Sequence, residues 1–376
     1  MGLGSWKRRG RRTLVAAALT TTVVAGTAGW ASSHEQRPLT GPPPGTSSWR
    51  ADGTLGTRLP DPATASPAQV ADFFRGLSAA AQHELAARHP SVVGNLDGAP
   101  IPLRYEANAR TLRSERTRAL ADAHDTTLTP QARALASAHA ERCADLLADG
   151  RRILAFDSRG RGQVAEVYGD LTTARHVSVI VPGSDIDLGT YDRAKDVYGT
   201  PAGMAKSLRA AAHGRTAVVA WVGYTTPVGL GPDAATGRLA EAGAPRLIRF
   251  VQGLIAAGTP HPAVFCHSYG SVVCGLAASR LPASDLVVLG SPGLRADSMA
   301  DLHTRARVWA ARDDSDWISK VPHVELLGLG HGADPADPSF GARRVPAEDA
   351  EGHTGYFAPG TDSLRAFTDI ATGATS

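Results

Sequence analysis

Residues 263–275, Ala-Val-Phe-Cys-His-Ser-Tyr-Gly-Ser-Val-Val-Cys-Gly, set one serine between an apolar run and a run of small residues. The pattern predicts a buried strand, a sharp turn at Ser268 and a helix. A turn of that kind forces the serine into a strained backbone conformation and exposes its hydroxyl. The chemistry it suits is nucleophilic attack on a carbonyl carbon. Residues flanking the turn must be small, because the helix passes close to the strand it left. Gly270 meets this demand on one side. Cys266 stands where a glycine is usual on the other, and is small enough to serve.

A serine nucleophile needs a general base, an acid to orient it and donors for the oxyanion. In the chain order expected of this topology, the acid and then the histidine follow the serine. The stretch Arg-Val-Trp-Ala-Ala-Arg-Asp-Asp-Ser-Asp-Trp-Ile offers Asp313, Asp314 and Asp316. Asp316 is favoured, with Asp313, nearer the strand end, as the alternative. The base is His353, in a glycine-flanked loop before the last helix, or His331, directly after an apolar run. His323 reads as structural. His267 neighbours the nucleophile and reads as a packing or substrate-side residue. The backbone N–H of Tyr269 is one oxyanion donor. The other is expected from the loop Ile-Val-Pro-Gly-Ser-Asp-Ile-Asp-Leu, where Gly183 permits close approach and Ser184 or Asp185 supplies the N–H. No cofactor or metal is implied. His-Gly-Ala-Asp-Pro-Ala-Asp-Pro lacks the spaced carboxylates of a calcium loop, and no glycine-rich phosphate loop has the right spacing.

These residues need a scaffold. The 376-residue chain is 43% hydrophobic and 20% charged, which suits a soluble globular protein of one large domain or two ordinary ones. Its formal net charge of +3 owes everything to the N-terminus: residues 1–31 hold Lys7, Arg8, Arg9, Arg11 and Arg12 and no acid. The remainder is slightly acidic, and nothing in it forms an electrostatic footprint for nucleic acid.

Residues 1–31, basic and then apolar, predict a signal peptide or a membrane anchor. The body is therefore expected outside the cytoplasm, secreted or anchored. Residues 32–65 read as a Pro/Gly-rich linker. Residues 66–150 read as a helical segment packed on the core, with helices at about 66–77, 79–88, 103–124 and 130–149. Ser66, Pro67 and Gln69 form a capping-box signature. Cys143 is expected on an apolar face with Leu135, Leu146 and Leu147.

From residue 151 onward the period changes. Ile-Leu-Ala-Phe-Asp and Gln-Val-Ala-Glu-Val-Tyr-Gly predict a strand pair. Six further apolar runs alternate with helical segments, beginning at about 176, 216, 263, 285, 307 and 324. Such alternation predicts an α/β domain over 151–376: a mainly parallel eight-stranded sheet with helices on both faces. No long apolar lid insertion is seen, which favours an open site and a short or polar acyl group.

Three cysteines leave at least one unpaired. Cys266 and Cys274 are expected at comparable heights on the strand and the returning helix. They form either a disulfide, which needs Cα atoms within about 7 Å, or two small buried thiols.

Taken together, Val-Pro-Gly-Ser-Asp-Ile-Asp-Leu, Trp-Val-Gly-Tyr-Thr-Thr-Pro, Cys-His-Ser-Tyr-Gly-Ser-Val-Val-Cys-Gly, Gly-Leu-Gly-His-Gly-Ala-Asp-Pro-Ala-Asp-Pro-Ser-Phe-Gly-Ala-Arg and Gly-His-Thr-Gly-Tyr-Phe resemble an actinobacterial family of exported α/β hydrolases of unassigned substrate. The resemblance covers about residues 66–372, and Asn-Leu-Asp-Gly-Ala-Pro-Ile-Pro-Leu-Arg-Tyr-Glu-Ala-Asn is similar to that family's helical preamble. It implies an α/β-hydrolase fold with Ser268 as nucleophile, and a cysteine at position 266 is usual there. The Thr-Thr of Trp-Val-Gly-Tyr-Thr-Thr-Pro departs from an acidic Tyr-Asp-Ala-Pro form. The expected function is a serine esterase acting on a small-molecule or lipid-like acyl substrate, with membrane association through the N-terminus. The alternatives are an amidase or peptidase using the same triad, and a non-catalytic hydrolase fold that binds a cell-envelope partner.

Overall fold

The computed structural model describes residues 35–375. The signal or anchor expected at 1–31 lies outside the described residues. Among those described, no helix is long and apolar enough to cross a membrane.

The sheet opens with β1 (Ile153–Asp157), β2 (Gln163–Tyr168) and β4 (Ala217–Val222), paired antiparallel. From β4 onward, β3 (Val177–Val181), β5 (Ala263–His267), β6 (Asp285–Leu289), β7 (Arg307–Ala311) and β10 (Arg343–Val345) run parallel. These eight strands form one sheet in the order β1-β2-β4-β3-β5-β6-β7-β10. The central strands are buried along their whole length, as a sheet covered on both faces requires. Alternate residues feed two cores. Val179, Val219, Val264 and Val288 pack with the helices Arg238–Ala256 and Gly270–Ala277. Ile180, Val218, Phe265 and Val287 pack with Pro201–Ala211 and Asp362–Ala371. The expected mainly parallel eight-stranded sheet is therefore present.

One of its strands is not the one expected. Val-Glu-Leu-Leu-Gly-Leu-Gly forms the small hairpin β8 (Glu325–Leu326) and β9 (Leu329–Gly330) outside the sheet. Leu327, Gly328 and Gly330 all take positive φ, which turns the chain back within four residues. Leu327 is 95% exposed there and Leu326 69%. The eighth strand is instead Arg343–Val345, an edge strand whose two arginines are exposed.

The helical segment folds much as expected, over Pro67–Arg75, Ala79–Arg88, Pro90–Gly94, Ile101–His124 and Pro130–Leu146. Ser66 and Gln69 make the capping box reciprocally. Cys143 and Leu146 are buried, whereas Leu135 is exposed, because eight residues of helix put it about 80° round from Cys143. Burial pushes the Cys143 thiol up to about 11.

The stretch expected to be a linker departs most from the reading. Thr46–Ala51 is helical, and Trp49 is fully buried with Leu59, Phe74, Leu85 and Val93. The indole Nε1 donates to Pro60 O at 2.7 Å. Proline and glycine do break regular structure here, but one large aromatic side chain gains enough by burial to dock the strap.

Candidate functional site

β5 ends at His267 and the helix begins at Gly270. Between them Ser268 takes φ 53°, a left-handed conformation costly for any residue with a Cβ. It is held by Ser268 N donating to Leu289 O at 3.0 Å and by Ser271 N donating to Ser268 O at 2.9 Å. The Ser271 hydroxyl bonds Ser291 Oγ at 2.7 Å, tying the turn to the loop after β6. Packing is as close as the residue types suggested. A Cβ on Gly270 would fall 2.6 Å from the carbonyl oxygens of Val181 and Pro182, and one on Gly183 would fall 2.6 Å from the Cβ of Ser268. Alanine fits at neither place.

Cys266 and Cys274 are joined by a disulfide, with their Cα atoms 6.5 Å apart. The bond braces the strand and helix that hold Ser268 between them. Closing so short a loop stabilises the fold by about 2–3 kcal/mol on chain entropy.

The structure brings His353 and Asp316 together. His353 Nδ1 lies 2.9 and 3.0 Å from the two carboxylate oxygens of Asp316. Asp316 is fully buried at the start of a short turn, Trp317–Lys320, whose Ile318 N–H donates to it at 2.9 Å. The Tyr356 hydroxyl donates to its other oxygen at 2.6 Å. Burial works to raise the Asp316 carboxyl. The His353 hydrogen bond and charge, with Tyr356 and Ile318, outweigh it and hold the group below its ordinary value. An ionised Asp316 fixes the proton on Nδ1 and leaves Nε2 as the basic nitrogen. Ser268 Oγ itself has no hydrogen-bond partner among the described residues, a looseness common in unliganded sites.

The alternatives lie elsewhere. Asp313 accepts from Ser315 N at 2.9 Å and from the Ser315 hydroxyl, capping its own turn. Ser315 Oγ then accepts from Gly352 N at 2.9 Å, so Asp313 supports the His353 loop from beneath. His331 is buried against Tyr269, ring centroids 5.6 Å apart, and its Nε2 bonds Ala234 O at 2.8 Å. His323 lies 3.9 Å from Asp334.

His267 is a packing residue with a specific task. Its ring packs at a tilt on His353, centroids 4.8 Å apart, and its Nε2 donates to His353 O at 2.8 Å. The Trp317 ring also packs on His353, centroids 4.7 Å apart. Neither Trp317 nor Tyr356 stands out in the sequence. The one signal for them is adjacency, Trp317 following the acid and Tyr356 falling three residues after the histidine.

Burial, reinforced by the neighbouring His353, lowers the His267 imidazole to about 3. An unfolded histidine titrates near 6.5. The unfolded chain therefore takes up this proton first as pH falls. The stability held by neutral His267 is complete above about pH 6.5 and is lost toward pH 3, at up to about 1.4 kcal/mol per pH unit. Urea melts should show wild type losing about 2 kcal/mol more than His267→Gln between pH 7.5 and pH 5. Parallel losses in the two proteins would contradict this assignment.

For the oxyanion, the backbone N–H groups of Tyr269, Gly183 and Ser184 have no acceptor among the described residues. Gly183 and Tyr269 flank Ser268 on two sides. Asp185 is engaged, its N–H donating to Pro227 O at 2.8 Å, so of the three loop N–H groups only those of Gly183 and Ser184 are without an acceptor among the described residues. The Tyr269 side chain points away, its hydroxyl donating to Thr236 O at 2.7 Å. Among the described residues no cluster of His, Cys, Asp or Glu could hold a metal ion.

A hairpin edge, parallel strands after it, a strained serine after β5, an acid after β7 and a histidine before the last helix are now all placed. A family model described as alpha/beta hydrolase matches residues 157–326. The fold is that of the α/β hydrolases. Two uncharacterized proteins from strains of Mycobacterium tuberculosis are each 29% identical over 380 residues, covering 84% of this chain and 57% of their own length. The chain thus spans little more than half of the curated relatives it matches. Among solved structures, a lidless serine hydrolase of Xanthomonas campestris is 16% identical with a TM-score of 0.34, covering 57% of this chain and 89% of its own. A 2,6-dihydroxy-pseudo-oxynicotine hydrolase is 10% identical with a TM-score of 0.36, covering 81% and 96%.

Proposed function

We propose that this α/β hydrolase is a serine esterase working through Ser268, His353 and Asp316 with an acyl-enzyme intermediate. The observation that carries the reading is the His353–Asp316 contact at 2.9 Å, with His353 packed on His267, the residue before a serine in left-handed conformation at a strand-to-helix turn. Ser268 Oγ attacks the ester carbonyl carbon while its proton passes to His353 Nε2. The oxyanion accepts from Tyr269 N–H and from Gly183 or Ser184 N–H. His353 then gives its proton to the leaving alkoxide, and water releases the acid by the reverse sequence.

The acyl group is proposed as a small-molecule or lipid-like one; support for the lipid-like case is the exposed apolar surface of Leu230, Leu326 and Leu327. A site outside the cytoplasm is supported by Lys-Arg-Arg-Gly-Arg-Arg with its apolar sequel, and by a disulfide that a reducing compartment disfavours. The test is labelling with a fluorophosphonate followed by peptide mapping. The adduct is expected on Ser268, together with turnover of p-nitrophenyl esters in preference to p-nitroanilides. An unlabelled protein, or an adduct on another serine, would sink the reading.

A further inference from the structure

A cavity of about 460 Å³ opens on the hairpin side of the sheet, between β2, the end of β4, the helix Arg238–Ala256 and the strap at residues 39–43. Ser268, His353 and Asp316 do not line it. Among the described residues its charged lining is Arg104, Arg159, Arg246 and Arg249 against Asp97 and Asp157. Two of the arginines are matched: Arg104 Nη1 lies 3.1 Å from Asp97, and Arg159 Nη2 lies 2.6 Å from Asp157. Arg249 reaches Asp97 only at 3.8 Å, too far for a hydrogen bond. Arg246 has no carboxylate in ion-pair range among the described residues. Its Nε donates to Gly223 O at 2.6 Å and its Nη2 to Gln163 Oε1.

That last bond fixes the Gln163 amide, so its Nε2 must look elsewhere. Gln163 is 6% exposed, and among the described residues Nε2 has no partner. Arg249 Nη2 is likewise buried without a partner among them. Unpaired buried donors and uncompensated charge are both costly. Burial accordingly lowers the Arg246 guanidinium from its ordinary value, against the pull of Asp97 and Asp157. Both unsatisfied atoms are donors and the surplus charge is positive, so what completes the site is an anionic acceptor.

We propose that this cavity binds a small organic anion, its carboxylate or phosphate group held by Arg246, Arg249 and the Gln163 Nε2–H. The volume falls within the range of about 300–1,000 Å³ for small-molecule sites, so the ligand is larger than a free ion. Trp221 and Phe250 also line the cavity and offer apolar surface to the rest of it. The inference does not rest on the esterase reading, since no residue of the triad takes part.

The test is calorimetric titration of the full chain with inorganic phosphate and with succinate at constant ionic strength, sodium chloride serving as control. Saturable binding is expected for at least one probe. It should weaken about tenfold or more in Arg246→Gln and in Arg249→Gln, and persist in Ser268→Ala. Binding of phosphate alone assigns a phosphate group, binding of succinate alone a carboxylate, and binding of both the shared anionic chemistry. No saturable binding of either probe overturns the proposal. So does equal affinity in wild type and the arginine variants, or a loss confined to Ser268→Ala. Should Arg246→Gln fail to fold, Arg249→Gln, whose side chain is 28% exposed, carries the test.

Discussion

Ser268→Ala should lower the turnover of an activated ester by roughly 10⁶, with melting temperature nearly unchanged. The size follows from the division of labour at the site. The proposed oxyanion donors, the backbone N–H groups of Tyr269 and of Gly183 or Ser184, survive the substitution. They retain a residual acceleration over water of about 10³–10⁴. What goes is the covalent path and with it the value of His353 and Asp316, which have no other proton to move. The fold should not suffer. Ser268 Oγ makes no hydrogen bond among the described residues, and the backbone bonds to Leu289 and from Ser271 do not need the hydroxyl. Alanine keeps a Cβ at φ 53°, so strain at the turn is unchanged. Turnover in the alanine variant within tenfold of wild type would remove Ser268 from the chemistry.

What the sequence disclosed about the fold depended on what periodicity can see. β3, β4, β5 and β6 are buried on both faces, and each shows as an uninterrupted apolar run. The same rule misread 324–330, because an apolar run says nothing of its own backbone. Positive φ at Leu327, Gly328 and Gly330 makes a hairpin there, and the side chains stay in solvent. Arg343-Arg344-Val345 was invisible for the opposite reason. An edge strand with one buried side chain has too little pattern to register. Trp49 was hidden among prolines and glycines, where composition outweighed a single buried indole. At the site, Ser268 was legible because its local turn is itself the signal. Asp316 and Asp313, three residues apart, were not separable by spacing. Their difference is which carboxylate faces His353, and only the turn Trp317–Lys320 settles that. The guanidinium of Arg246, without a carboxylate partner among the described residues, had no signature at all, since it is defined by partners that β2 and the end of β4 bring from far away in sequence.

The same pair of aspartates yields the second large effect. Asp316→Asn should cost about 10⁴ in kcat, whereas Asp313→Asn should cost less than about tenfold while lowering the melting temperature. The amide that replaces the Asp316 carboxylate would keep its volume and could still accept from Ile318 N–H. Yet an amide is neutral, and its NH₂ can face His353 Nδ1 as a donor. The imidazole would then place its own proton on Nε2, the nitrogen that must receive the Ser268 proton. Nothing would offset the imidazolium that forms during attack, since the buried carboxylate is gone and Tyr356 offers only a hydroxyl. Asp313 meets this network through its backbone alone, its N–H donating to the Tyr356 hydroxyl at 3.1 Å and its carbonyl accepting from Asp316 N at 3.2 Å, and the substitution leaves both bonds in place. Its carboxylate accepts from Ser315, and Ser315 in turn from Gly352 N–H, so its loss loosens the loop that carries His353 without altering the tautomer. The two cases separate in the pH profile. Lost loop support in Asp313→Asn lowers the rate at every pH, while Asp316→Asn should recover part of its rate in alkali, where hydroxide takes the place of the missing base. A greater loss in Asp313→Asn than in Asp316→Asn would reverse the assignment of the acid.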